Sequence, residues 1–431
     1  MNKIKSPSAD KIIVRMYNIG FGDCFLLLFP APDNKPPCKV LIDCGVHMAS
    51  KNPKALTMKD VVKQIVTDVT DPDGKPRIDI VIATHRHRDH VYGFQQKDWA
   101  NVIVKEVWMP WTEHPTDPEA KQIRESQSKA AAKVKKALQK KKLHPSLTDA
   151  EREKLERATF LADNNLVNEA AMATLHTGFA HEDAFAVRRY LPLTDDGETF
   201  DSPALPGVKI HAMGPSHDPN VIADMEKDDE FYHLLGGGRA ASESTLQPFR
   251  QDWVVRRSEY NSNQAYKNLK LSDRDIKAIG SFGGADEFAA AAKVESAVNG
   301  TSLMLMFEIG SGYLLFPGDA QWGTWDAAMK NPKWASLLGK TTFYKIGHHG
   351  SHNATPRKFV EGILKPGFWA MACTGPTAAW TEIIPRQSVL DALRTKSDKV
   401  VRSDKVDVAD PTVSDFERDQ DNDFTELELK F

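Results

Sequence analysis

Ile80-Val81-Ile82-Ala83-Thr84-His85-Arg86-His87-Arg88-Asp89-His90 is the stretch on which the reading of this chain turns. Apolar residues run as far as Ala83, and three histidines and an aspartate then crowd into positions 85–90. The apolar part reads as a buried strand. In extended backbone, residues two apart project the same way, so His85 and His87 can face one metal ion. A turn after them brings Asp89 and His90 round to a second. Imidazoles and a carboxylate together suit zinc, manganese or iron. The plain alternative is a polar loop whose histidines fall together by chance. That leaves their place directly after a buried strand unexplained.

Working outward, similar punctuation recurs along the chain. Tyr17-Asn18-Ile19-Gly20-Phe21-Gly22-Asp23-Cys24 is a glycine turn between two apolar runs, Ile12 to Met16 and Phe25 to Phe29. Leu41-Ile42-Asp43-Cys44-Gly45 and Phe316-Pro317-Gly318-Asp319-Ala320 each place an aspartate at the end of a strand-like run. Gly347-His348-His349-Gly350-Ser351 follows another, Phe343 to Ile346.

His85-x-His87-x-Asp89-His90 resembles the signature of the metallo-β-lactamase-fold hydrolases. The other four stretches resemble that superfamily's further motifs, in its order. The Gly-x-Gly-Asp turn and the His-His-Gly-Ser element look like those of the branch containing the competence protein ComEC. The resemblance runs from about residue 12 to about residue 355 and implies an α/β fold: a metallo-β-lactamase-like αββα sandwich with helical and loop insertions. It implies two divalent ions, zinc first, with manganese or iron as alternatives. The first would take His85, His87 and Asp319. The second would take Asp89, His90, Asp319 and one of His348 and His349. Asp89 would also orient the attacking water, and Asp43 would support the site through hydrogen bonds.

One expected ligand is missing. The third-motif histidine of the family has no clear counterpart; His217, just past Gly214-Pro215, is the best-placed substitute, ahead of His211, His176 and His181.

The implied activity is metal-assisted hydrolysis, with a phosphodiester in nucleic acid or a nucleotide as substrate. A carboxylic ester, lactone or amide substrate is an alternative. So is a metal-stabilised binding or scaffolding module without turnover.

The 431 residues would hold two or three domains, but the landmarks are spread along them. That favours one domain over 1–431, with a helical insertion at 112–200 and a second insertion at 217–298. Hydrophobic content of 41% and charged content of 27% suit a soluble globular protein. A net charge of −3 gives no overall attraction to nucleic acid or anionic membrane. The four cysteines form no Cys-x-x-Cys pair, and the two in apolar strand-like contexts read as small core residues. The polar start lacks the apolar core of a signal peptide, and Cys24 to Phe29 is too short to span a bilayer. The expected location is the cytoplasm.

Thr57 to Val69 has helical apolar spacing after a Thr57-x-x-Asp60 cap. Within the first insertion, Glu119 to Lys142 is charged and ends Lys-rich, Thr148-x-x-Glu151 is a capping box, and Asn165 to His176 reads as a helix. The lysines read as a solvated face, with a phosphate-tracking surface as the alternative. Trp322 and Trp325 are read as packing residues. The acidic stretch from Asp404 to Asp423 reads as a surface segment, and Phe424 to Phe431 as an edge strand.

Overall fold

The computed structural model describes all residues except 1–5, 32–34, 52–55, 145–146, 167, 182–186, 226, 228–229, 231–284, 352, 378–383, 406–414 and 419–422. Most of the second insertion, including Gly236 to Gly238 and Gln251 to Asp275, thus lies outside the described residues. So does much of the acidic stretch.

Among the described residues the body is mixed α/β, built on two mixed sheets. The chain enters the first with β1 (Lys11–Tyr17), β2 (Phe25–Phe29), β3 (Cys38–Ile42), β4 (Arg77–Ile82), β5 (Ile103–Pro110) and β6 (Val187–Leu191). It builds the second with β7 (Glu198–Asp201), β8 (Lys209–Gly214), β9 (Met304–Ile309), β10 (Gly312–Phe316), β11 (Phe343–Lys345), β12 (Trp369–Ala372) and β13 (Val400–Arg402). It then returns to the first with β14 (Phe416–Arg418) and β15 (Phe424–Lys430). Strand order is β14-β15-β1-β2-β3-β4-β5-β6 in one sheet and β13-β12-β11-β10-β9-β8-β7 in the other. Strands β3 to β6 and β10 to β13 run parallel, so their ends of like polarity share one edge.

The sheets pack face to face because both inner surfaces are apolar. Phe25 meets Phe316 and Phe29 meets Phe307 across the gap, with ring centroids 5.7 and 5.8 Å apart; such pairs add about 0.5–1.5 kcal/mol each beyond area burial. The helix Met58–Asp68 buries Val61, Val62 and Ile65 in the same core, and Thr57 caps it by accepting from the Asp60 N–H. A separate apolar layer covers the other face of the second sheet, where Trp322 and Trp325 pack with Tyr344 and Phe359.

The helices Pro118–Lys142, Asp149–Asn164 and Ala285–Asn299 form a small bundle with its own core of Ala130, Val134, Leu155, Leu161 and Val294. The Thr148–Glu151 capping box is present. Lys135 is not a free member of the lysine face: it pairs with Asp163 at 2.6 Å. Three elements depart from the sequence reading. The stretch 112–200 contains β6, whose half-buried Arg188 and Arg189 conceal it as a strand. The four residues of β12 are too few for a periodic signal. β15 is not the edge, because β14 pairs along its outer side.

What positions the site is a backbone seam at the rim. The Asp23 N–H donates to the Asp89 carbonyl (2.8 Å), Cys44 N–H to His90 (2.7 Å) and Gly45 N–H to Asp23 (3.1 Å). Across the sheets, Leu303 N–H donates to Thr84 O at 2.8 Å. The approach requires glycine at 45, where a Cβ would stand 2.4 Å from both Arg88 O and His90 N. Gly45→Ala should therefore destabilise by about 1–3 kcal/mol or more in denaturant unfolding. Gly362→Ala, with open space around its Cβ, should stay within about 0.5 kcal/mol of the parent. Equal losses in the two variants would contradict the seam.

Candidate metal centre

Five separate chain stretches converge at this rim. His85, His87, Asp89 and His90 follow β4; Asp43 ends β3; Asp23 lies in the β1–β2 turn; Asp319 follows β10; and His348 and His349 follow β11. The ring nitrogens His85 Nε2 and His87 Nδ1 stand 2.9 Å apart. Asp319 Oδ2 lies 3.2 Å from His90 Nε2, 4.0 Å from His85 Nε2 and 3.8 Å from His348 Nε2. His349 Nε2 lies 3.3 Å from Asp89 Oδ2. In both His85–His90–Asp319 and Asp89–His90–His349, donor atoms fall within 4.8 Å of one another, as ligands of one ion must.

Of the histidine pair, His349 is thus the one that joins Asp89 and His90. His348 turns to Asp319 and sets its Nδ1 3.1 Å from Asn353 Oδ1. Among the described residues, the non-glycine positions with positive φ are Asp43 (56°), His348 (46°) and His349 (54°). Each such position costs about 1–3 kcal/mol, and all three belong to this rim. Asp43 reaches inward with that twist. It accepts from Thr84 N–H and Oγ1–H at 2.8 and 2.7 Å and meets His90 Nδ1 at 2.8 Å.

His217 is not brought in. It stacks on Trp111 (4.3 Å between centroids, 18° between planes) and donates from Nε2 to Pro192 O at 2.8 Å. The flat indole beside the Gly214-Pro215 turn gives the ring a better partner than the rim. His211 pairs with Glu308, His176 contacts Tyr190, and His181 bonds to Val104 O.

Four contributors carry no metal motif in the sequence. Lys345, 2% exposed inside β11, forms an ion pair with Asp23 and approaches Asp319 Oδ1 at 3.7 Å. Asn164 and Asn165, ending one bundle helix, and Glu295, on another, reach the ligands from outside the sheets. A lysine in an otherwise apolar strand and a glutamate in the second half of an alanine-rich helix were the available signals.

Electrostatics separates the histidines. Burial, reinforced by the neighbouring rings, pushes His85 well below its ordinary 6.5, and burial takes His87 down to about 4. Both are the neutral form that binds metal. Burial also opposes charge on His90 and His349, but carboxylates win. Asp319 and Asp43 lift His90 well above 6.5, and Asp23 and Asp89 lift His349 to about 10. Burial raises Asp43, and burial together with the charge of Asp89 raises Glu295 well above 4.5.

The cause is a charge excess. Asp23, Asp43, Asp89, Glu295 and Asp319 are buried against one buried ammonium, Lys345. Fully ionised, they leave four negative charges, which protons relieve and which two divalent cations would neutralise. The donor set therefore fits divalent cations.

Cations that take these positions must displace protons. Below pH 6.5 the metal-free fold gains the full stabilisation of its raised histidines, and it loses the His349 share as pH rises through about 10. Metal affinity should accordingly climb with pH towards that value. At pH 7, binding should release on the order of two protons, read by calorimetry in buffers of different ionisation enthalpy. Release of none would contradict the protonated pair. Neither models of known protein families nor curated proteins match this chain, so the centre rests on its own geometry.

Proposed function

We propose that the chain is a metal-dependent hydrolase of the metallo-β-lactamase type, acting on a phosphodiester. The observation that carries this reading is the convergence of neutral and charge-paired ligands from five stretches on one buried rim with a four-charge deficit. Two facing mixed sheets with helices on their outer faces agree with the fold that the motifs imply. Preference for a phosphodiester over an ester, lactone or amide comes from the ComEC-like Gly-x-Gly-Asp and His-His-Gly-Ser elements. No described helix is long and apolar enough to cross a membrane, so nothing described points to a membrane-bound role.

When bound, two divalent cations would supply Lewis acidity and an activated water near neutral pH. The chain's own residues supply the rest. His85, His87 and Asp319 would hold one ion; Asp89, His90, His349 and the shared Asp319 the other. Asp43 fixes the His90 ring, and Lys345 tempers the charge of Asp23 and Asp319. Asp89 is held by Asn164 at 3.1 Å through one oxygen, leaving the other to face the site. His348 has the most exposed side chain of the set, at 14%, and is placed to receive a substrate oxygen by hydrogen bond.

Asp89→Asn should fold normally and lose about 10²–10³-fold or more in turnover. The assay is a panel with added zinc or manganese: single- and double-stranded DNA, RNA, cyclic nucleotides, a generic phosphodiester and a carboxylic ester. Full activity in Asp89→Asn would overturn its role. Tight metal binding without turnover on any substrate would favour the scaffolding alternative.

A further inference from the structure

Glu295 lies 130 residues from Asn165 in sequence, yet its carboxylate joins two asparagines that each grip a metal-ligand candidate. Asn165 presents Oδ1 to His87 Nε2 at 2.8 Å and donates from Nδ2 to Glu295 Oε2 at 3.1 Å. Asn164 Nδ2 is shared between Asp89 Oδ1 (3.1 Å) and Glu295 Oε1 (2.9 Å). Each Glu295 oxygen therefore accepts from one asparagine, and each asparagine reaches one ligand. Glu295 Oε2 also stands 3.7 Å from His87 Nε2 directly.

Chemistry fixes the direction of the relay. An amide whose Nδ2 donates to a carboxylate must offer its Oδ1 on the other side. Asn165 thus accepts from His87 Nε2–H, which leaves the Nδ1 lone pair facing His85 Nε2. A ligand histidine needs such a partner on its outer nitrogen to fix ring and tautomer. Among the described residues, the hydrogen-bond partner of His87 Nε2 is Asn165 and does not come from the sheets.

The bundle is built to hold this arrangement. Gln127 Nε2 donates to Ala297 O at 3.0 Å, tying two of its helices two residues from Glu295. Asn168 Nδ2, just past the bundle, donates to both Asn164 O at 2.9 Å and Arg86 O at 2.5 Å, tying the bundle to the ligand loop.

We propose that Glu295, through Asn164 and Asn165, is a positioning residue by which the inserted helices set the geometry and affinity of the metal centre. The inference rests on the metal-dependent reading above. It predicts that the inserted helices, although outside the sheets, govern metal affinity.

The test compares chelator-stripped wild type and Glu295→Gln, each titrated with Co2+ and followed by its visible d–d absorption, with affinity taken by competition against a chromophoric chelator. A glutamine can accept from only one of the two amides and turns its own NH2 against the other. Its affinity should fall by about 10–100-fold and its cobalt spectrum should shift, in a stripped protein that still unfolds cooperatively. Asn165→Ala removes the His87 arm and leaves the Asp89 arm, and should weaken one of the two binding events. It also decides the matter if Glu295→Gln does not fold. Wild-type affinity and spectrum in the folded variants would overturn the relay and leave the metal centre standing. No cobalt uptake by wild type would overturn both.

Discussion

Everything at the rim depends on one electrostatic fact: carboxylates are buried there in excess of the ammonium that accompanies them. Charges in such a setting must be paired or neutralised, because desolvation costs several kcal/mol per ion. The fold meets the demand in two ways. Lys345 answers Asp23 and Asp319 from beneath, and raised histidines hold protons where cations would sit. A core selected only for stability has no use for this arrangement. It is consistent with a place shaped to receive positive charge.

The architecture delivers those charges because parallel strands end together. Strands β3 and β4 in one sheet and β10 and β11 in the other stop at the same edge, and their next residues are Asp43, Ala83, Pro317 and Ile346. The backbone seam from Asp23 through Gly45 to His90 then locks the loops. It also holds Asp43 in a conformation that an isolated chain avoids. The strain at Asp43, His348 and His349 is tolerated because hydrogen bonds from several directions over-determine each position.

Much of this was legible in the sequence. The apolar run before His85 marked a strand, and strand-end aspartates 43 and 319 and the His348–His349 pair marked the same rim. What failed were features that periodicity and motif cannot express. His217 lay at the right point in the order, but Trp111 holds it elsewhere. Glu295 and the two asparagines belong to helices whose sequences look like ordinary bundle helices; only their packing aims them at the ligands. Lys345 was hidden in a three-residue strand. Whether His348 or His349 meets Asp89 was undecidable from their adjacency, since it depends on two successive left-handed backbone turns.

The most direct measurement is anomalous diffraction at the zinc edge from crystals of the zinc-loaded protein. Two peaks about 3.5–4 Å apart, one beside His85 and His87 and one among Asp89, His90 and His349, with Asp319 between them, are the predicted result. An empty rim, or zinc bound only elsewhere on the chain, would contradict the account.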